Sequence, residues 1–401
     1  MGKVIFIILD GLGDRPCNEF LGETPLEAAS TPVMDFFVRE GICGLQAPLG
    51  LGFDPESGPA HFEIFGYTPY KKYYPGRGVI EALGAGAKLK ENDIAFRVNF
   101  ATLKNGKIID RRAGRIDCVK EFEEDLTMEL RGVKFILKAG TEHRAALILR
   151  GENLSSELSD SDPHKKGVAP KKVVALNKKA KFTAEVLNEY LKKVHEILKK
   201  HRINKKRNKK KLPEANFILL RGASKFKKIK TFKKRCGVKA CCIAGAGLYK
   251  GFGKFIGMDL VNVKGATGGK DTNIVAKFKS AKRVLKRYDF VWVHVKGTDL
   301  YGHDGDCYGK KKFIEKVDKA LEVLADINAL KVITGDHSTP CSLKDHSGDE
   351  VPILFHGSGV RVDEVFHFGE RDCMHGGLKR INGKDIMPEI LNLIGKQKVI
   401  E

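Results

Sequence analysis

Asp289-Phe290-Val291-Trp292-Val293-His294-Val295, running on to Asp299 and His303, is the stretch that decides the architecture. Its β-branched and aromatic side chains follow one another almost without polar alternation. That pattern marks a strand covered on both faces, as in a parallel sheet. The run ends in a loop carrying a carboxylate and an imidazole, and the arrangement recurs. Lys3 to Leu9 ends at Asp10, and Lys331-Val332-Ile333-Thr334 ends at Gly335-Asp336-His337. Val351-Pro352-Ile353-Leu354-Phe355 follows closely after His346. Helical segments separate these runs; Lys310 to Asp326, for example, keeps Phe313, Ile314, Val317, Ala320, Leu321 and Leu324 on one face. Alternating strands and helices predict an α/β fold with a doubly wound, mostly parallel sheet. In such sheets ligands bind beyond the carboxyl ends of the strands, where these Asp and His residues would gather.

Moving inward from both ends, the pattern changes between Asn92 and Arg235. Short strand-like runs appear, Ile94 to Phe100 and Ala145 to Leu149, with the hairpin signal Lys104-Asn105-Gly106-Lys107. A Lys-rich stretch from Lys178 to Lys211 comes next, in which Val186, Leu187, Tyr190, Leu191, Val194, Ile197 and Leu198 recur at helical spacing. The expectation is a smaller α+β domain of residues 92–235 inserted into a discontinuous core of residues 1–91 and 236–401.

Composition agrees with two folded domains. The chain has 401 residues, 42% apolar and 30% charged, more than one hydrophobic core usually serves. No apolar run approaches the roughly 20 residues of a membrane span, and the first run, too short for a leader and closed by Asp10, reads as a core strand. The formal charge of +22 raises nucleic acid as a partner. Its excess is concentrated in the Lys-rich stretch, which reads as an amphipathic helix with a solvated basic face ending in a basic loop before Pro213. No zinc-finger spacing or aromatic-rich RNA-binding motif accompanies it, so no specific nucleic acid is expected; a basic field also attracts small anions. Nine cysteines, odd in number and without a Cys-x-x-Cys pair, argue against a disulfide framework or structural zinc, and for reduced thiols in a cytoplasmic protein.

The chemistry lies in the strand-end residues. Carboxylates and imidazoles together suit manganese, zinc or a similar divalent ion. Three Asp (Asp10, Asp299, Asp336) and three His (His303, His337, His346) exceed one tetrahedral site, so two ions are expected, an arrangement that clamps the attacking and leaving oxygens of a phosphoryl transfer. Ser57, in Asp54-Pro55-Glu56-Ser57-Gly58-Pro59-Ala60-His61, is expected on a tight, exposed turn, and a neighbouring cation or base would activate its hydroxyl.

These segments, taken in order, resemble the archaeal cofactor-independent phosphoglycerate mutases of the alkaline-phosphatase superfamily. Ile8-Leu9-Asp10-Gly11, Pro55 to His61 with Phe65-Gly66-Tyr67, Gly76-Arg77-Gly78, Glu81 to Gly86 and Asp110 to Ile116 carry the likeness in the first half. Gly265-Ala266-Thr267-Gly268, His294 to Asp299, Gly302 to Asp306, Thr334 to Pro340 and Asp345 to Gly348 carry it in the second. The resemblance implies an alkaline-phosphatase-like core and a phosphoserine formed at Ser57. It implies one ion on Asp10, Ser57, Asp336 and His337, and another on Asp299, His303 and His346, manganese being favoured over zinc, cobalt or magnesium. It further implies roles near phosphate for His61 and Lys250, and a reaction that interconverts 3- and 2-phosphoglycerate without 2,3-bisphosphoglycerate. The inserted domain would close over the core and grip the small phosphorylated substrate through Arg112, Arg115, His143, Arg144, Asp162 and His164. Gly58-Pro59 after the serine departs from many relatives, which carry a polar residue there. A phosphatase or homoserine-kinase-like transferase on the same site is the alternative enzyme, and a basic nucleic-acid-binding protein with a relic site the alternative from another class. Oligomeric state is left open.

Overall fold

A computed structural model describes residues 2–397. The chain divides into two compact units, Met1–Tyr74 with Lys230–Glu401, and Pro75–Ile229. Strands β1 (Val4–Leu9) and β2 (Gly41–Ala47) open the first unit. The second contains β3 (Ile94–Lys104), β4 (Lys107–Asp110), β5 (Met128–Leu130), β6 (Val133–Ala139), β7 (Arg144–Arg150) and β8 (Phe217–Lys225). The chain then returns to the first unit with β9 (Ala240–Ile243), β10 (Asp259–Leu260), β11 (Phe290–Val295), β12 (Leu330–Thr334), β13 (Val351–His356) and β14 (Lys379–Asn382).

The boundaries fall at 74/75 and 229/230, not at 91/92 and 235/236. The helix Arg77–Gly84 belongs with the insertion because a Cβ on Gly78 would collide with the Ala95 carbonyl of β3, and the Val79 amide donates to Ser224 Oγ of β8 at 2.8 Å. The helix Phe232–Cys236 belongs with the core, where the Phe232 ring lies 5.1 Å from that of Phe290. Sequence pattern alone could not move these segments, since the helix face they bury is apolar in either assignment.

The first unit is built on an eight-stranded sheet in the order β10-β9-β11-β1-β12-β13-β2-β14. Every neighbouring pair is parallel except the two that involve β13. The near-continuous apolar runs are buried along their whole length in β1, β11 and β12, because helices cover both faces of a parallel sheet. β13 departs from the expected parallel course. No helix intervenes between it and β12, and without a crossover the chain doubles back antiparallel. Strand register brings the loops with the expected ligands together. Leu9 pairs with Val295 and Ile8 with Thr334, so β1, β11 and β12 end level and deliver Asp10, Lys296 and Gly335-Asp336 to one edge.

The second unit has its own apolar core and a six-stranded antiparallel sheet, β4-β3-β7-β6-β5, in which β8 also pairs with β3. The expected hairpin joins β3 to β4, with Asn105 and Gly106 both at positive φ as a tight two-residue turn requires. The Lys-rich stretch forms the helix Lys181–Lys200, which buries Val186, Leu187, Tyr190, Leu191, Val194 and Leu198. Its basic face is solvated. The expected loop after it is instead a second helix, Arg202–Lys209, capped by His201 through the Ile203 amide.

Candidate active site

Asp10, Asp336, His337 and His346 come from loops at the carboxyl edge of the large sheet, Asp299 and His303 from the helix Gly297–Asp304 that follows β11, and Ser57 from another helix start. Ser57 does not sit on an exposed turn: it is the first residue of the helix Ser57–Ile64 and is only 8% exposed. Gly58 lies in contact with the Tyr74 ring, where a larger side chain would crowd. The Ser57 hydroxyl is 3.1 Å from His337 Nε2, which in turn stands 3.3 Å from Asp10 Oδ1 and 3.5 Å from Asp336 Oδ2. Asp299 Oδ1 lies 3.3 Å from His303 Nε2 and 3.6 Å from His346 Nε2. The two groups meet at His337, whose ring stacks on that of His346 at 3.8 Å and which is close enough to Asp299 and His346 to share an ion with them.

Second partners orient these side chains. Thr339 Oγ1 donates to Asp299 Oδ1 at 3.0 Å, so with its one proton spent it accepts from His337 Nδ1 at 3.1 Å. That leaves His337 Nε2 facing Ser57 and the carboxylates. His303 Nδ1 donates to the Lys344 carbonyl and His346 Nδ1 to the Pro55 carbonyl, which frees both Nε2 atoms toward Asp299.

The electrostatics are those of a site built for cations. Burial alone would raise Asp10, but the ammonium of Lys296, with His337 and His294, holds it well below the usual carboxylate range. Asp336 is pushed up by burial and by the negative charge of Asp10. Burial opposes a charge on His337, yet Asp336 and Asp10 overcome it and lift the imidazole to about 9. Asp10 Oδ1 and Asp336 Oδ2 are buried with no hydrogen-bond donor. Such orphaned carboxylate oxygens are costly, and a divalent cation would satisfy both while taking the place of the His337 proton.

The family of 2,3-bisphosphoglycerate-independent phosphoglycerate mutases matches residues 38–204. A mutase of that name from Methanocaldococcus jannaschii is 48% identical over 99% of this chain and 98% of its own length. The chain belongs to this family. It is an isomerase that needs no 2,3-bisphosphoglycerate and acts on a small phosphorylated substrate. Membership brings divalent cations with it. Among solved structures, a Pyrococcus horikoshii protein superposes with a TM-score of 0.86 at 40% identity, covering 100% of this chain and 99% of its own. The cofactor-independent phosphoglycerate mutase of Thermoplasma acidophilum gives 0.75 at 36% identity, covering 98% and 100%.

The remaining expected residues fall differently. His61, almost fully buried, donates from Nδ1 to the Ser57 carbonyl at 2.6 Å and stands 3.6 Å from Asp336 Oδ2. It braces the backbone of the serine rather than its hydroxyl. Lys250 is half-buried and has no hydrogen bond or ion pair to any of the seven; its charge acts on Cys242 and Lys277. Its neighbour Tyr249 is what reaches the site, donating to Asp10 Oδ2 and standing 3.4 Å from Ser57 Oγ. Lys296, between the Asp10 and Asp299 carboxylates at 2.9 and 2.6 Å, is the other participant the motifs did not single out. A lysine inside the segment His294 to Asp299, next to an expected ligand, was the available signal.

In the second unit His143 is buried, and burial together with the positive charges of Arg144, Arg112 and Arg115 lowers it to about 4. The three arginines are exposed around it. Asp162 is not free to meet a ligand. It is fully buried and takes two hydrogen bonds from Arg111, at 3.1 and 2.7 Å, with Arg221 at 3.4 Å. His164 is exposed on the same turn, its amide bonded to Asp162.

Proposed function

We propose that this chain interconverts 3-phosphoglycerate and 2-phosphoglycerate by passing the phosphoryl group through Ser57. Two divalent cations, manganese first, would be held by Asp10, Ser57, Asp336 and His337 and by Asp299, His303 and His346. The observation that carries this reading is the Ser57 hydroxyl, 3.1 Å from His337 Nε2 and next to two orphaned carboxylate oxygens. When bound, the cations supply Lewis-acid charge that offsets the negative phosphoryl oxygens and favours the ionised serine.

The protein's own groups do the rest. Tyr249 stands against the Ser57 oxygen, and His61 holds the helix start that presents it. Ser57 gives up its hydroxyl proton as Oγ attacks phosphorus, the bond to the substrate oxygen breaks, and the departing oxygen takes up a proton. The other hydroxyl of the retained glycerate then loses its proton and attacks the phosphoserine, the P–Oγ bond breaks, and Ser57 Oγ is reprotonated. Lys296 adds a positive charge beside the reacting oxygens, with Lys250 a further candidate cation. Burial of Ser57, Asp336 and His337 supports transfer to glycerate over transfer to water. Arg112, Arg115, Arg144 and His143 would hold the carboxylate and phosphate of the substrate. Asp162 would position Arg111 and Arg221, and His164 stays a candidate contact on that turn.

Incubation with 3-phosphoglycerate and Mn²⁺ is the test. The reading expects 2-phosphoglycerate without released phosphate, and Ser57→Ala that folds but transfers nothing. Free phosphate without the isomer, or undiminished turnover in Ser57→Ala, would overturn it.

A further inference from the structure

Away from the ligand cluster, three thiols form an apolar cluster of their own. Cys17, Cys307 and Cys341 are 4%, 7% and 3% exposed and pack with Phe20. Within it the sulfurs of Cys17 and Cys307 approach to 3.1 Å, although the residues are 290 positions apart. Two unbonded thiols do not need to be so close. A disulfide has its sulfurs about 2.05 Å apart, so bonding requires an approach of only roughly 1 Å. A metal alternative exists because the Glu19 carboxylate lies within reach of both thiols. Thiolates on one tetrahedral zinc, with bonds of about 2.3 Å, would stand roughly 3.7 Å apart. The observed spacing therefore favours the covalent bond.

We infer that Cys17 and Cys307 are a disulfide-forming pair that reversibly staples the frame behind the ligand loops. Cys17 lies on the stretch that follows Asp10. Cys307 opens the helix Cys307–Leu321, directly after the helix Gly297–Asp304 that carries Asp299 and His303. A low-molecular-weight disulfide is the oxidant. The sulfur of Cys307, the more exposed of the two, attacks it and releases one small thiol. Cys17 then attacks the Cys307 sulfur of the mixed disulfide and releases the second. Two electrons pass from the pair to the oxidant, and the two protons leave with the released thiols. Burial and the Cys307 contact push the Cys17 thiol up, which makes closure slow but, once made, protected. Because the bond closes so long a loop, it stabilises chiefly by restricting the unfolded chain.

The test treats the purified full-length protein with 2-hydroxyethyl disulfide, unfolds it in N-ethylmaleimide and maps the cross-links by non-reducing proteolysis. Wild type and Cys341→Ser should lose two alkylatable thiols, yield a 17–307 linked peptide and gain several degrees in thermal midpoint, all reversed by dithiothreitol. Cys17→Ser and Cys307→Ser should show neither the cross-link nor the shift. A bond that involves Cys341, no cross-link under conditions that oxidise dithiothreitol itself, or thiol protection that a chelator removes would each overturn the inference, the last in favour of a bound metal.

Discussion

Lys310 offers the most exacting test of how the site is held. Its ammonium is fully buried and donates to the Gly13 carbonyl at 3.0 Å, Asp14 Oδ2 at 2.8 Å and the Thr339 carbonyl at 3.0 Å, so all three protons are used. Asp14 also accepts from the Cys341 amide. One side chain thus ties the loop after β1 to the loop after β12, and holds Thr339, whose hydroxyl orients Asp299 and His337. At 2.8 Å and an effective dielectric constant of about 20, the attraction to Asp14 is roughly 6 kcal/mol. Desolvation offsets much of it, but Lys310→Met leaves Asp14 buried without its counter-charge, and breaking such pairs costs about 3–5 kcal/mol. That is a large share of the roughly 5–15 kcal/mol typical of a folded domain. The single tryptophan, Trp292, is buried in the same unit, so its fluorescence in urea reads the unit in question. Lys310→Met should lose about 4 kcal/mol and bind Mn²⁺ more weakly. The double variant with Asp14→Asn should recover part of that loss, with a coupling of roughly 2–3 kcal/mol. A loss under about 1 kcal/mol, or strictly additive single and double variants, would refute the reasoning.

Lys296→Met removes an ammonium that competes with a cation for Asp10 and Asp299. Titration calorimetry should show Mn²⁺ binding about tenfold tighter or more, roughly 1.4 kcal/mol, with a lower thermal midpoint for the metal-free protein; unchanged or weaker binding would contradict that competition. Glu370, half-buried, accepting from Thr24 and beside Glu27, is raised from 4.5 to about 7 by desolvation first. A carboxyl raised on folding contributes stability that is complete below pH 4.5 and is lost as pH climbs through 7. The wild type should therefore lose roughly 2–3 kcal/mol relative to Glu370→Gln between about pH 4.5 and 8, and parallel pH profiles of the two in urea would rule this out. His61→Ala should lower turnover more than it weakens Mn²⁺ binding, since His61 braces the Ser57 backbone; a calorimetric loss of cation affinity with turnover at saturating Mn²⁺ intact would reverse that assignment.

The strands that matter were legible because burial on both faces leaves one signature, an unbroken apolar run. A chain that follows such runs with Asp10, Asp299 and Asp336-His337 carries its candidate ligands in plain sequence. The departures share a cause. Ser57 begins a helix and is buried, with Gly58 packed against the Tyr74 ring, a contact that local turn chemistry does not encode. β13 runs antiparallel because of what its connection lacks. The helices Arg77–Gly84 and Phe232–Cys236 join whichever core offers the complementary surface.

Residue type and spacing by themselves determined the α/β class, the existence of an insertion and the carboxylate, imidazole and hydroxyl groups available for chemistry. Only the folded molecule decided that Tyr249, Lys296 and Thr339 lie against those groups with Lys310 behind Thr339, that Asp162 is held by Arg111, and that Cys17 meets Cys307. A strand or helix period is a property of neighbours along the chain. A hydrogen bond, an ion pair or two sulfurs in contact depend on which distant segments the sheet register brings level, and no local pattern carries that distance.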